Sequence, residues 1–573
     1  MLARYLFVII SFFIFSGMVR PSLADEPPIN GMSREEALQL GEQMYRKGIL
    51  PSGEPMEAYV MQDIPVDGRM FTCDDCHQRS GLGSVEGKVI TWPTNGRELF
   101  KPRRQTGAWD PPESDQAKEN SRKNLPAYWQ IEDVRPAYTD ETLARVILTG
   151  LDPAGRQLNP VMPIYLLDDS DMALLIYYLK NLSSDLSPGV DETTIHFATV
   201  ITDDVSEGDR MAMLSTLQAH IDAHNSQNRH QERRASSGPF YMTEMRHAYR
   251  RMKLSVWNLH GPENTWPGQL QAFYRQEPVF ALLAGITSGN WKPVHEFCEQ
   301  NKIPSIFPLT DLPVISESDW YTLYFSKGLY QEGEAVAKYL QVATSPAEDV
   351  HILLIARQDD KNQALRWGFE ESWRKFKRPA AEYLELAQGQ KTDARFWQEI
   401  AESSPPRILI LFLEGEDLGQ IDILAQESNR PRKVFLSSRL LESASRSVPD
   451  ALRDKLYLTW PRVLPEMQEK RLAFIRPWLK ARSIEGDNFD ILAKMYFLGW
   501  MLPGSIKRMR SEYFREYFLE GFDMMIDQDY AIAVFPRLTF GSGQRYTSKG
   551  CYIVQLGKGP NPDLVKKSDW VIH

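Results

Sequence analysis

The sequence predicts a multidomain chain, with a small all-α domain over residues 30–186 followed by a two-lobed α/β domain over residues 192–560. Three observations predict it. Before residue 187 the segments read as short helices joined by long irregular connections, including a Pro-rich, charged tract from Lys101 to Pro126. Leu182-Ser183-Ser184-Asp185-Leu186-Ser187-Pro188-Gly189 is a polar linker with turn-forming punctuation. Beyond it, apolar β-runs alternate with amphipathic helical stretches, the pattern of parallel α/β sheets. Those runs are Thr194–Ile201, Lys253–Trp257, Val279–Gly285, Ile303–Phe307, Val350–Ala356, Ile408–Leu413 and Lys433–Leu436. The stretch is too long for one such sheet, so two lobes with a cleft at the strand carboxyl ends are expected.

The chain has 573 residues, 42% of them hydrophobic and 11% aromatic, which is ample for packed cores. Residues 1–24 read as a signal peptide: Arg4, an apolar run from Tyr5 to Phe15, then Ser22-Leu23-Ala24 as a small-residue cleavage site. That run is short for a bilayer span, and no later segment offers one. An exported, periplasmic protein without a transmembrane segment after cleavage is expected. Loss of Arg4 and Arg20 with the leader makes a formal charge of −10 still more negative, which disfavours nucleic acid as a partner.

Cys73-Asp74-Asp75-Cys76-His77 is the most specific motif. Two thiols three residues apart on one helical turn can each reach a haem vinyl group, and the adjacent imidazole can bind the iron. One covalent haem c is expected at Cys73 and Cys76, with His77 as an axial iron ligand. A structural zinc site needs a second ligand pair, whereas Cys298 and Cys551 stand apart from the motif and from each other. Whether those two pair or are separately buried stays open. A thioredoxin-like redox pair would sit near a βαβ pattern, which these Gly- and Pro-rich flanks do not offer.

Met162-Pro163, followed by Ile164-Tyr165, offers a sixth iron ligand. An amphipathic helix from Thr139 to a Gly150 stop precedes it, and an N-capped helix from Asp168 to Leu182 follows. This segment resembles class I cytochromes c. The resemblance implies Met162 as the second axial ligand, in a loop before a last helix that packs across the first, and His/Met ligation implies electron transfer at a filled iron.

Gly285-Ile286-Thr287-Ser288-Gly289, Ile303-Pro304-Ser305-Ile306-Phe307-Pro308 and Tyr324-Phe325-Ser326-Lys327-Gly328 resemble phrases of type I periplasmic binding proteins of the branched-chain amino acid class. The resemblance implies a ligand carboxylate bound by Ser288 and Thr310. Asp311 stands beside them as a third candidate ligand-binding residue, with loop capping as the alternative; ionised, it would repel a carboxylate, so an amino acid ligand is not expected. His220, His224 and His230 read as a solvated helix face. The leading expectation is a periplasmic electron carrier whose second domain binds a small molecule or docks a redox partner such as a quinoprotein dehydrogenase, and not an enzyme. The alternative is a solute receptor for a transporter or sensor with a redox-reporting haem.

Overall fold

The structure, a computed structural model, describes residues 29–572 apart from 30, 62, 87–88, 104–134, 237–249, 345–350, 403–407, 426–430, 442–449, 527 and 558–562. The expected signal peptide and nearly all of the Lys101 to Pro126 tract lie outside the described residues. Two compact units divide the chain, with the smaller ending at Ser184 and the larger running from Asp185.

The smaller unit is built on helices Arg34–Lys47, Asp140–Thr149 and Asp169–Asn181. Ser33, Thr139 and Asp168 cap their first turns by accepting backbone N–H bonds, which satisfies donors that have no partner within the helix. The last helix packs across the first where Gly41 lets Tyr178 approach, and Tyr45 and Tyr178 meet at 5.4 Å. Ala37, Met44, Leu174 and Leu175 complete the contact core.

The all-α expectation is corrected. Strand β1 (Glu57–Val60) pairs antiparallel with β2 (Ile64–Asp67) and with β5 (Ile164–Leu166), while β3 (Val85–Glu86) pairs with β4 (Val89–Ile90). Connections that looked irregular satisfy their backbone groups through these short ladders. They are too short to show a periodic signal.

The larger unit has two sheets. The first lobe holds β6 (Thr194–Thr202), β7 (Arg251–Leu259), β8 (Ala281–Leu283), β9 (Ser305–Ile306), β10 (Thr322–Ser326) and β16 (Tyr546–Ser548), all parallel, in the order β16-β10-β9-β8-β6-β7. The second holds β11 (Ile352–Arg357), β12 (Glu382–Leu386), β13 (Ile408–Phe412), β14 (Lys433–Ser437) and β15 (Leu456–Trp460) in parallel. Antiparallel β17 (Gly550–Leu556), β18 (Leu564–Lys566) and β19 (Val571–Ile572) extend it. Each sheet is apolar on both faces. Leu353, Ile355, Leu409 and Leu411 enter one core, and their neighbours Leu354, Ala356, Ile410 and Phe412 the other.

The chain passes between the lobes three times. It leaves β10 through Gly328, whose φ of 59° and contact with the Asp311 backbone exclude a side chain, into the helix Gly328–Ala343 of the second lobe. It returns after β15 to helices Pro465–Lys480, Phe489–Met509 and Arg515–Asp523, whose apolar faces join the first lobe's core. It crosses again between β16 and β17.

Cys298 lies buried in the first lobe's core and Cys551 in the second's, as separate thiols. The solvated-face reading of His220 and His224 is corrected. His220 stacks on Trp478 at 4.3 Å, and burial holds its pKa down to about 4. His224 Nε2 lies 3.3 Å from the Arg250 carbonyl.

Candidate functional site

In the smaller unit, Cys73–His77 forms one short helix opened by Thr72, which accepts from Asp75 N while Asp75 accepts from Thr72 N. The Cys73 thiol is held up to about 12 by burial. His77 Nδ1 lies 2.8 Å from the Trp92 carbonyl, which can only accept. Nδ1 therefore carries the hydrogen and Nε2 is left with a lone pair. Burial depresses the imidazole pKa to about 4, so the ring is neutral near pH 7.

Met162 is half-buried in a turn held by Asn159, whose carbonyl accepts from Met162 N at 2.9 Å and whose side chain accepts from Val161 N at 3.0 Å. Two bonds tie this loop to the rest of the site. Met61 N donates to Pro160 O at 2.9 Å, and the Tyr165 hydroxyl donates to Phe71 O at 2.7 Å, just before Cys73. Met61, Ile64, Met70, Phe71 and Val161 on these segments are exposed apolar side chains, Met70 by 75%. Paired thiols, an imidazole with a free Nε2, a thioether loop and an apolar surface fit a covalently held haem.

In the larger unit, the loop after β8 places Ser288 against Asp204. Ser288 N donates to Asp204 Oδ2 at 3.0 Å, and Ser288 Oγ donates to the Asp204 carbonyl at 3.1 Å. The Asp204 carboxylate thus takes the Ser288 N–H, and the Asp204 backbone carbonyl takes its hydroxyl. Thr310 Oγ1 accepts from Leu312 N at 3.0 Å, closing its own turn. Asp311 reaches the opposite lobe, where it is paired with Arg439 at the carboxyl end of β14.

Arg439 also lies 3.2 Å from Glu332, a fully buried carboxylate on the helix after the first crossing. Glu332 accepts from Ser437 Oγ at 2.8 Å and from the Thr459 hydroxyl. Burial raises its pKa to about 7 against those hydroxyl bonds. Close by, Arg462 pairs with Asp490 at 3.2 Å, and Gln468 donates to the same carboxylate at 2.9 Å. Lys494 stands one turn beyond Asp490, with its Nζ 5.6 Å from the Phe535 ring centroid and 6.0 Å from that of Phe325. Burial pushes its pKa down to about 8, opposed by Asp490 and reinforced by Arg439 and Arg462.

The sequence reading passed over Arg439, Glu332, Arg462 and Lys494. Two of them left a signal. Arg439 stands just beyond an apolar run, where a parallel strand delivers its carboxyl end, and Lys494 is a lone charge inside the run Ile491-Leu492-Ala493-Lys494-Met495-Tyr496-Phe497.

No family model and no curated protein matches the chain. Among solved structures, it resembles a possible leucine/isoleucine/valine-binding protein from Rhodopirellula baltica SH 1, at 14% identity and a TM-score of 0.44 over 67% of this chain and 98% of that one. A leucine binding protein from Thermotoga maritima MSB8 matches at 12% identity and a TM-score of 0.44, over 66% and 99%. A solute binding protein of an ABC transporter from R. palustris, solved with benzoate, matches at 12% identity and a TM-score of 0.43, over 66% and 99%. Each of these is a binding protein. The two-lobed architecture of the larger unit rests on the strand order and crossings above rather than on this likeness.

The leading expectation of an electron carrier, defined by haem iron and electron transfer, is corrected. The larger unit is a two-lobed α/β structure, and among the described residues no group of three or more His, Cys, Asp or Glu side chains could hold a metal ion. Nothing found supports a quinoprotein partner. No described helix is long and apolar enough to cross a membrane.

Proposed function

We propose that this chain is an exported solute receptor, acting in the periplasm and serving a transporter or a sensor, with haem c covalently attached to its smaller unit. The observation that carries the receptor reading is the Asp311–Arg439 pair, which joins the two lobes at the carboxyl ends of their parallel strands. In open parallel sheets that edge is where ligands bind. Three crossing segments supply the hinge that lets two lobes close on a small molecule. The roles of Ser288 and Thr310 in this reading are to shape the rim, since their hydroxyls are engaged within their own lobe.

The haem belongs to the proposal on the fit of Cys73, Cys76, His77 and Met162 described above. Bound there, it would supply a one-electron couple that reports redox state. Cys76→Ala leaves only one thioether link, and Cys73→Ala with Cys76→Ala leaves none. The double variant, expressed with haem maturation machinery, is expected to lose the haem stain that survives denaturing electrophoresis of the wild type. A wild-type protein without that stain would remove the haem from the account.

The receptor reading is tested by titrating the full chain with a broad panel of small metabolites and following its unfolding temperature. A true ligand stabilises the folded state in proportion to the logarithm of its concentration.

A further inference from the structure

We propose that the hinge carries a second binding site, apart from the cleft between the lobes, in which Lys549 holds a small oxyanion as an effector. A cavity of about 270 Å³ lies along the edge strand β16, at the small end of the range for ligand pockets. Its wall draws on two of the three crossings. Lys327 and Gln331 come from the passage out of β10, and Ser548 and Lys549 from the passage out of β16. Gln331 Nε2 donates to the Gly550 carbonyl and so ties one crossing to the other. Ser288, Asp311 and Arg439 do not line this cavity.

Unspent donors face it. Lys327 is paired with Glu334 at 2.9 Å and Arg545 with Asp523 at 2.6 Å, carboxylates that do not line the cavity. Lys549 is half-buried, its Nζ donates to the neutral side chain of Gln544, and it has no carboxylate partner among the described residues. Two buried side chains on the same wall, Ser548 and Arg545, add to this. The Ser548 hydroxyl and Arg545 Nε and Nη1 have no hydrogen-bond partner among the described residues. Buried polar groups are normally satisfied, by water or a ligand when not by protein. An oxyanion fits this set, because it accepts from several donors at once and offsets an uncompensated ammonium.

The acidic side chains on the wall do not cancel that charge. Asp319 is held by His295 Nε2 at 2.9 Å, and Glu317 is exposed to water that screens it. Burial first, and then the Arg537 charge, lower the pKa of Lys549. The ammonium has lost water and faces a like charge, and a bound anion relieves both. An occupant between Lys549 and Lys327 would link two crossing segments, so its binding is coupled to movement of the lobes about them. That coupling rests on the receptor reading, whereas the oxyanion site itself does not.

The test titrates the full chain with inorganic phosphate and with glycerol 3-phosphate, against chloride at matched ionic strength. Calorimetry and unfolding temperature are the readouts, and Trp320, whose ring centroid lies 4.9 Å from the Arg545 guanidinium carbon, gives a fluorescence signal beside the site. One saturable oxyanion per chain is expected, with Lys549→Met weakening it at least about tenfold. Lys549→Arg should restore it, which separates loss of charge from misfolding. Binding of glycerol 3-phosphate alone supports the site and assigns it to an organic phosphate. No binding of either probe, an equal effect of chloride, unchanged binding by a folded Lys549→Met, or binding lost in Arg439→Met instead overturns the site, and each leaves the receptor reading standing. For a solute found to bind the cleft, saturating phosphate is expected to change its affinity by about fivefold or more. An unchanged affinity overturns the effector role.

Discussion

Gly333→Ala destabilises the larger unit by about 3 kcal/mol, because the added methyl would enter the carbonyl of Leu365 on the neighbouring helix. Helices Gly328–Ala343 and Asp360–Lys375 meet backbone to backbone, and Gly368 makes the reciprocal close contact with the Tyr330 carbonyl. Backbone cannot swing aside as a flexible side chain can. The gain in helix propensity from Gly to Ala, roughly 1 kcal/mol, offsets only part of the cost. Chemical denaturation followed by tryptophan fluorescence measures the loss. A midpoint equal to the wild type's would show that the two helices do not approach this closely.

Arg439→Met removes the cation shared by Asp311 and buried Glu332 and is expected to cost about 3 kcal/mol at pH 8, together with solute binding. Much of that cost is the burial of an uncompensated carboxylate rather than the worth of the pair itself. The loss therefore depends on pH. Glu332 has a folded pKa raised to about 7, above its unfolded value, so it binds more protons when folded than when unfolded in the interval between them. Stability from that group is full below the unfolded pKa and is lost as pH rises through about 7. Without Arg439 the folded pKa rises further, so the gap between variant and wild type should widen from pH 5.5 to pH 8. A gap independent of pH would mean that Glu332 is not the carboxylate left behind.

Much of this architecture could be read directly from the chain. Thr139, Gly150 and Asp168 bound helices because their caps are local chemistry, and the structure places Asp140–Thr149 and Asp169–Asn181 between them. Thr194–Ile201, Ile408–Leu413 and Lys433–Leu436 were readable as strands because strands buried on both faces are continuous apolar runs. Short β16 and the charged, half-exposed β12 carry no such run, and they pair only because the sheets already exist. Helix Arg34–Lys47 was also passed over, although Ser33 followed by acidic residues is a start signal.

The sites divide the same way. Cys73, Cys76 and His77 are contiguous, so their chemistry is visible as a motif. The cleft is assembled from Asp311, Glu332 and Arg439, positions far apart in the chain that only the crossings bring together. Asp311 looked like an obstacle to a carboxylate ligand when read alone. Its pairing with Arg439 across the lobes removes that objection, while Asp204 introduces the same objection at Ser288.

The most direct test of the central claim is an equilibrium titration of the intact wild-type chain with a broad panel of small solutes, read by unfolding temperature and tryptophan fluorescence. The account predicts at least one saturable, 1:1 ligand whose binding is lost in Arg439→Met. Absence of any saturable ligand, or a ligand bound equally well by that variant, would contradict it.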